Sequence, residues 1–399
     1  MRSLTFLFLL IAAITTNAQE GIKFNQTTTW NDTKAKAAAE RKLIFLDCYT
    51  SWCAPCKWMD KNVFTVPAVA NFYNENFINA KIDMEKGEGI ELRKKYAVQS
   101  FPTFLFINDK GEVVHRTASK MSVEEFLEEG KKAANPTTNL SYLSAKYTEG
   151  TRDLPFLLDY VLVLNKSDRM KAEQIGKDII NGISEKELRT EFGWKTIKAL
   201  ARTENDKLGA YFIANESAFN NWSKPEEREQ LKDRLVTSTM YGLMSGKNEK
   251  AFMEKLSYFK SSEKIDRRKQ GIMLEADFYL GAGRTADYVK ITKKALKNEL
   301  KDDAEKLSFL ARRASGSKGD NNGTAPKAIQ KQAYLMAKRA VVLEPEEYSI
   351  QSTFAHVCLA MKNKPEALAA AKKSRLLADA ETSKIQKLAQ DLLDRVEAL

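Results

Sequence analysis

A continuous apolar run, Leu43-Ile44-Phe45-Leu46, leads within a few residues to two closely spaced cysteines, Cys53-Ala54-Pro55-Cys56. No other feature narrows the fold as much. An unbroken apolar run fits a strand buried on both faces, not one with a wet face. Pro55 falls in the first turn of a helix, where no amide hydrogen is needed. A strand that hands over to a helix N-terminus is half of an α/β unit, and it puts the cysteines at the junction. The flanking sequence continues the pattern. Helices are expected at Thr33 to Lys42, Pro67 to Asn76 and Gly89 to Tyr96, with strands at Phe77 to Asp83 and Thr103 to Ile107. Asn108 to Gly111 signals a turn, and Val113 to Arg116 a returning strand. Ser122 and Glu125 form a capping box, with Met121 and Phe126 placed for a hydrophobic staple, opening a helix to Ala134. Strands alternating with helices and closed by a hairpin predict a small α/β domain with a mixed sheet.

A Cys-x-x-Cys pair can be half of a zinc site or a redox dithiol. Zinc needs a second ligand pair at suitable spacing. The only histidines, His115 and His356, are isolated, and Cys358 lies too near His356 for a ligand motif. No metal is expected. At a helix N-terminus the free N–H groups and the dipole favour an anion and lower the pKa of the first thiol. Cys53 is therefore the expected exposed nucleophile. Cys56, one turn later, can close the disulfide and resolve a mixed disulfide. A static structural disulfide is the alternative. Cys48 is expected to pack as a small buried hydrophobe, with a regulatory third thiol as the sharper idea. Cys358 falls on an apolar helical face, and His115 on the hairpin strand has no catalytic partner in the sequence. The aromatics Phe192, Trp194, Tyr211, Phe212, Phe219 and Trp222 are expected in a core, with a peptide-binding groove as the alternative.

Residues 43–116 resemble the thioredoxin superfamily. The resemblance implies a thioredoxin fold over residues 19–134 and a thiol–disulfide oxidoreductase, a reductase or isomerase of protein disulfides. It implies that Asp47, six residues before Cys53, is a buried acid handling the proton of Cys56, with Lys81 as its neighbour. It implies that Pro102, in Phe101-Pro102-Thr103, is a cis-proline facing the disulfide. Phe101, Thr103 and Trp52 then fall at the substrate-binding rim. No cofactor is implied. The partners implied are protein disulfides and an upstream electron donor or thiol partner. The run Trp52 to Asp60 followed by Val63-Phe64 resembles exported members that receive or pass on electrons. Ala54 stands where ordinary thioredoxins have Gly, while the retained Pro55 leans toward a reducing or intermediate potential.

The rest of the chain frames this domain. Arg2, the short apolar run Leu4 to Ile14 and the small residues Thr16-Asn17-Ala18 read as a signal peptide over residues 1–18, addressed to a bacterial periplasm, with an uncleaved membrane anchor as the alternative. No later run is long enough for a membrane span. Asn135 to Asn139 reads as a linker, and residues 140–399 as an all-helical domain. Its clearest part, Lys327 to Leu343 followed by helices carrying Ile350, Phe354, Cys358 and Met361 and then Ala367 to Leu377, resembles tetratricopeptide hairpins, with an irregular helical bundle as the alternative. A polar loop from Gly316 to Pro326 interrupts any array. The net charge of +11 could suggest nucleic acid, but Lys and Glu interleave as on solvated helix faces, and no nucleic-acid partner is expected. The helical domain is expected to bind a client or partner. The alternative is a helical-repeat scaffold whose dithiol is a redox sensor or a non-catalytic binding module.

Overall fold

The computed structural model describes residues 21–25, 29–246, 248–316, 325–381 and 383–399. The expected signal over residues 1–18 lies outside them, as do residues 317–324 of the expected Gly-rich loop. The chain divides into two compact units. Of the described residues, the first takes those up to Thr151 together with Val163–Arg169, and the second takes Arg152–Leu162 and Met170–Leu399. The polar stretch 135–139 lies inside the first unit.

The first unit is a mixed sheet between two helical layers. Its elements in chain order are α1 (Trp30–Glu40), β1 (Leu43–Tyr49), α2 (Ala54–Asn62), α3 (Pro67–Asn76), β2 (Phe77–Asp83), α4 (Gly89–Lys95), β3 (Thr103–Ile107), β4 (Val113–Ala118), α5 (Val123–Ala134) and α6 (Leu140–Thr148). The strand order is β2-β1-β3-β4, with β1 parallel to β2 and antiparallel to β3, and β3 antiparallel to β4. The alternation of β1 sorts its side chains between two cores. Phe45 joins Phe104, Phe106, Met59 of α2, Tyr73 of α3 and Phe126 of α5. Ile44, Leu46 and Cys48 join Leu105, Ile107, Ala37 of α1 and Leu92 of α4. The first core is aromatic, with Tyr73 stacked on Phe126 at 4.5 Å and Phe45 edge-on to Tyr73 at 4.8 Å. Truncating such a ring to alanine costs about 3–5 kcal/mol.

Two boundaries differ from expectation for local reasons. Helix α1 begins at Trp30, three residues before the expected Thr33, because Thr29 and Asp32 form a capping box, and it ends at Glu40 because Arg41 adopts a left-handed φ of 52°. Strand β4 runs on to Ala118, two residues past the expected Arg116, since Thr117 and Ala118 still pair with Phe104 and Thr103. The hairpin turn behaves as expected. Gly111, at φ 83°, takes the left-handed position, and its amide donates to the Asn108 carbonyl.

The second unit is helical throughout its described residues. Towards its end Lys327–Leu343, Tyr348–Ala360, Lys364–Leu377 and Ser383–Glu397 pack in succession, each on the next. Ala333, Met336, Ala337 and Ala340 are buried there, as are Ile350, Phe354 and Cys358, while Val341 and Met361 are partly buried. Trp194, Phe212 and Phe219 pack ring against ring in a separate place, with Tyr211 and Trp222 at the edge of Phe219. Among the described residues no helix is long and apolar enough to cross a membrane, and no group of His, Cys, Asp and Glu side chains is arranged to hold a metal.

Candidate active site

Cys53 is the N-cap of α2. Its Sγ accepts the amide hydrogen of Cys56 at 3.1 Å, and its carbonyl accepts from Lys57. The two cysteines are joined as a disulfide, with Cα atoms 5.3 Å apart. Once the bond is reduced, the Cys56 amide and the helix dipole stabilise a thiolate on Cys53. Cys53, expected at the surface, is only 2% exposed, because its sulfur is turned inward onto Cys56 and its amide.

Strand register brings the acid and the lysine together. Asp47 of β1 pairs with Lys81 of β2 on one side and with Phe104 of β3 on the other. Asp47 alternates with Phe45 and so lies on the α2 face of the sheet. It is 1% exposed, and the Lys81 Nζ lies 3.2 Å from Oδ2, an ion pair without hydrogen-bond alignment. Burial is the largest influence on Asp47 and raises its pKa to about 6, with Lys81 pulling it down and Asp60 pushing it up. Lys81 contacts Asp60 of α2 as well, and its ammonium lies over the rings of Tyr49, Phe24 and Phe64 at 4.8, 5.6 and 5.7 Å. Burial acts to lower the pKa of Lys81, but the two carboxylates more than offset it and raise it.

The segment before β3 meets the loop before α2 through Phe101 and Trp52. Phe101-Pro102 is a cis peptide, and Thr103 pairs in register with Cys48 near the end of β1. The Pro102 carbonyl accepts from the Ser119 amide, and Thr103 Oγ1 donates to the Ser100 carbonyl at 2.8 Å. Trp52 meets Phe101 edge-on at 5.9 Å. Two residues with no role in the sequence reading hold this rim. Glu85 accepts from Trp52 Nε1 at 2.7 Å, while the Arg93 guanidinium lies 5.2 Å over Phe101 and donates to the other Glu85 oxygen at 3.4 Å. Glu85 and Arg93 follow β2 in a turn and a short helix, so no sequence spacing announces their meeting. Asp60 is different. It lies one helical turn after Cys56, a spacing that could have flagged it.

The remaining candidates lie elsewhere. Cys48 is free and fully buried on the opposite face of the sheet, where burial and then the Asp47 charge hold its thiol well above its usual pKa. Cys358 is a free, buried core thiol in the second unit, pushed up by burial to about 12. His115 is fully buried in the first unit. Its Nε2 meets Glu129 at 3.1 Å and its Nδ1 accepts the Leu140 amide hydrogen at 3.3 Å, so it is structural.

Comparisons with known proteins place the first domain in a family. A family model for a thioredoxin-like domain matches residues 30–134. Thioredoxin-1 of Drosophila melanogaster is 45% identical over 80 residues, which are 20% of this chain and 70% of that protein. The thiol:disulfide interchange protein DsbD of Photorhabdus laumondii is 25% identical over 103 residues, 25% of this chain and only 18% of that protein. The solution structure of a disulphide-isomerase candidate from Bacteroides thetaiotaomicron is 46% identical, covering 29% of this chain and 95% of that one with a TM-score of 0.28. The family model's match ends at residue 134, before the helical remainder. Through its first domain, the chain belongs to the thioredoxin superfamily.

Proposed function

We propose that this chain is an exported thiol–disulfide oxidoreductase acting on protein disulfides. The observation that carries the reading is the junction itself: a disulfide capping α2, above a buried carboxylate whose raised pKa suits it to exchange protons near neutral pH. In the reduced protein the Cys53 thiolate attacks a client disulfide. One client sulfur leaves as a thiolate and takes up a proton, and the other is bonded to Cys53. Cys56 then gives its proton to Asp47, attacks the Cys53 sulfur and releases the second client sulfur. The Cys53–Cys56 bond forms and the Cys53–client bond breaks. The protein gives up two electrons and the client gains them. An external dithiol donor must return the pair to its reduced form. The Pro102 segment and the Trp52–Phe101 rim would hold the client backbone. Export rests on the signal-like residues 1–18 and points to a bacterial periplasm. The tetratricopeptide-like helices of the second unit would select the client or a partner.

The test is Cys56→Ser in the mature chain. It is expected to accumulate client proteins bound through Cys53, released by dithiothreitol. The reading fails if no mixed disulfide forms and the wild-type protein neither reduces nor isomerises a disulfide substrate. Cys53→Ser/Cys56→Ser distinguishes the scaffold reading, in which the double variant keeps both partner and phenotype.

A further inference from the structure

Lys81 has more to do than neutralise Asp47. Its ammonium sits between two carboxylates, the buried Asp47 of β1 and the half-exposed Asp60 of α2. The two acids reach it from different elements, and α2 is the helix that carries Cys56. The ammonium lies over three rings, Phe24, Tyr49 and Phe64, and the Lys81 side chain is 19% exposed, so water screens the buried Asp47–Lys81 pair poorly. The charged groups acting on Asp47 are Lys81 from β2 and Asp60 from α2, with the Cys48 thiol next to it in the chain. Its partner on β3, Phe104, is apolar.

We propose that Asp60 is a positioning residue for proton transfer: by sharing the Lys81 ammonium it keeps that cation from belonging wholly to Asp47, and so keeps Asp47 able to take up the proton of Cys56. The inference rests on the proposed role of Asp47 and deepens it. Asp60 touches neither sulfur nor client in this account and works only through Lys81. With Asp60 neutral, Lys81 turns to Asp47, which becomes a weaker base. With Lys81 gone, Asp47 is buried beside a like charge and holds its proton more tightly.

Single-turnover reduction of a disulfide peptide by the reduced protein, followed between about pH 4 and 8, separates these effects, because its acid limb reports the essential base. Asp60→Asn should move that limb down by about one unit, a roughly tenfold change in proton affinity. Asp60→Glu should keep the wild-type limb, and Lys81→Met should move it upward. Direct titration of Asp47 by carboxyl NMR should follow the same order in the oxidised proteins, which keeps the test independent of turnover. An unmoved or raised limb in Asp60→Asn, or Lys81→Met shifting in the same direction as Asp60→Asn, overturns the inference. If Asp47→Asn keeps the wild-type limb, Asp47 is not the base and this inference falls, while the dithiol reading stands. If the wild-type protein reduces nothing, both fall together.

Discussion

Among its described residues the first unit buries two carboxylates, and their surroundings drive them in opposite directions. Asp47, on the strand that leads to the disulfide, has one ion-pair partner among the described residues, Lys81, and that partner is shared with Asp60. Glu129, at the junction of β4, α5 and α6, has three cationic or polar partners: His115 at 3.1 Å, Lys132 at 3.0 Å and Lys166 at 3.9 Å. His115 accepts the Leu140 amide on Nδ1, which leaves the hydrogen on Nε2 to be donated to Glu129. Burial acts to raise both acids. For Asp47 it wins, and the pKa stands at about 6. For Glu129 the hydrogen bond from His115 and the lysines outweigh it, and the pKa falls to about 2. An acid with a full set of donors is a structural anion. An acid given too few is unstable as an anion and is available for proton exchange.

The largest expected effect is on chemistry. Cys53→Ser should abolish reduction of a disulfide substrate, whatever the state of either acid, as an insulin-precipitation assay would show. Next are the acids themselves, and their signs differ. Glu129 has a folded pKa below its usual 4.5, so its stabilisation is present above that value and is lost as pH falls through about 2. Glu129→Gln should therefore cost about 3 kcal/mol at neutral pH, with the gap to wild type closing in acid, by urea denaturation. Asp47 has a folded pKa above its usual 3.8, so the protonated form stabilises the fold and that stabilisation is lost as pH rises through about 6. Asp47→Asn should then be more stable than wild type by about 2–3 kcal/mol above that pH and equal to it below the usual carboxylate range, while slowing reduction. If both variants destabilise at neutral pH, the contrast is broken. The smallest effect belongs to the exposed Glu85–Arg93 pair. Arg93→Gln should change stability by less than about 1 kcal/mol and raise KM a few-fold, leaving the acid limb in place.

The two regions were unequally legible in the sequence. Asp47, Cys53, Cys56 and Lys81 could be named because the strand and helix patterns around them are strong and the resemblance assigns their places. Strand register then puts Asp47 opposite Lys81. Glu129 could not be named. On a helix it reads as one more surface Glu beside lysines, and only the folding of α6 and residues 163–169 onto β4 and α5 buries it against His115. For the same reason the stretch 135–139 reads as a boundary, though the chain continues into α6 with the Leu140 amide bound to His115. Glu85 and Arg93 were missed because their meeting depends on a turn and not on a periodicity. In the second unit the helices follow from apolar spacing, yet nothing in that spacing names a role for them.

The most direct measurement is a carboxyl NMR titration of Asp47 and Glu129 in the oxidised protein. The account predicts midpoints of about 6 for Asp47 and about 2 for Glu129. An Asp47 that titrates at its ordinary value of 3.8 would contradict it, because the buried acid of β1 would then be an anion no different in kind from Glu129.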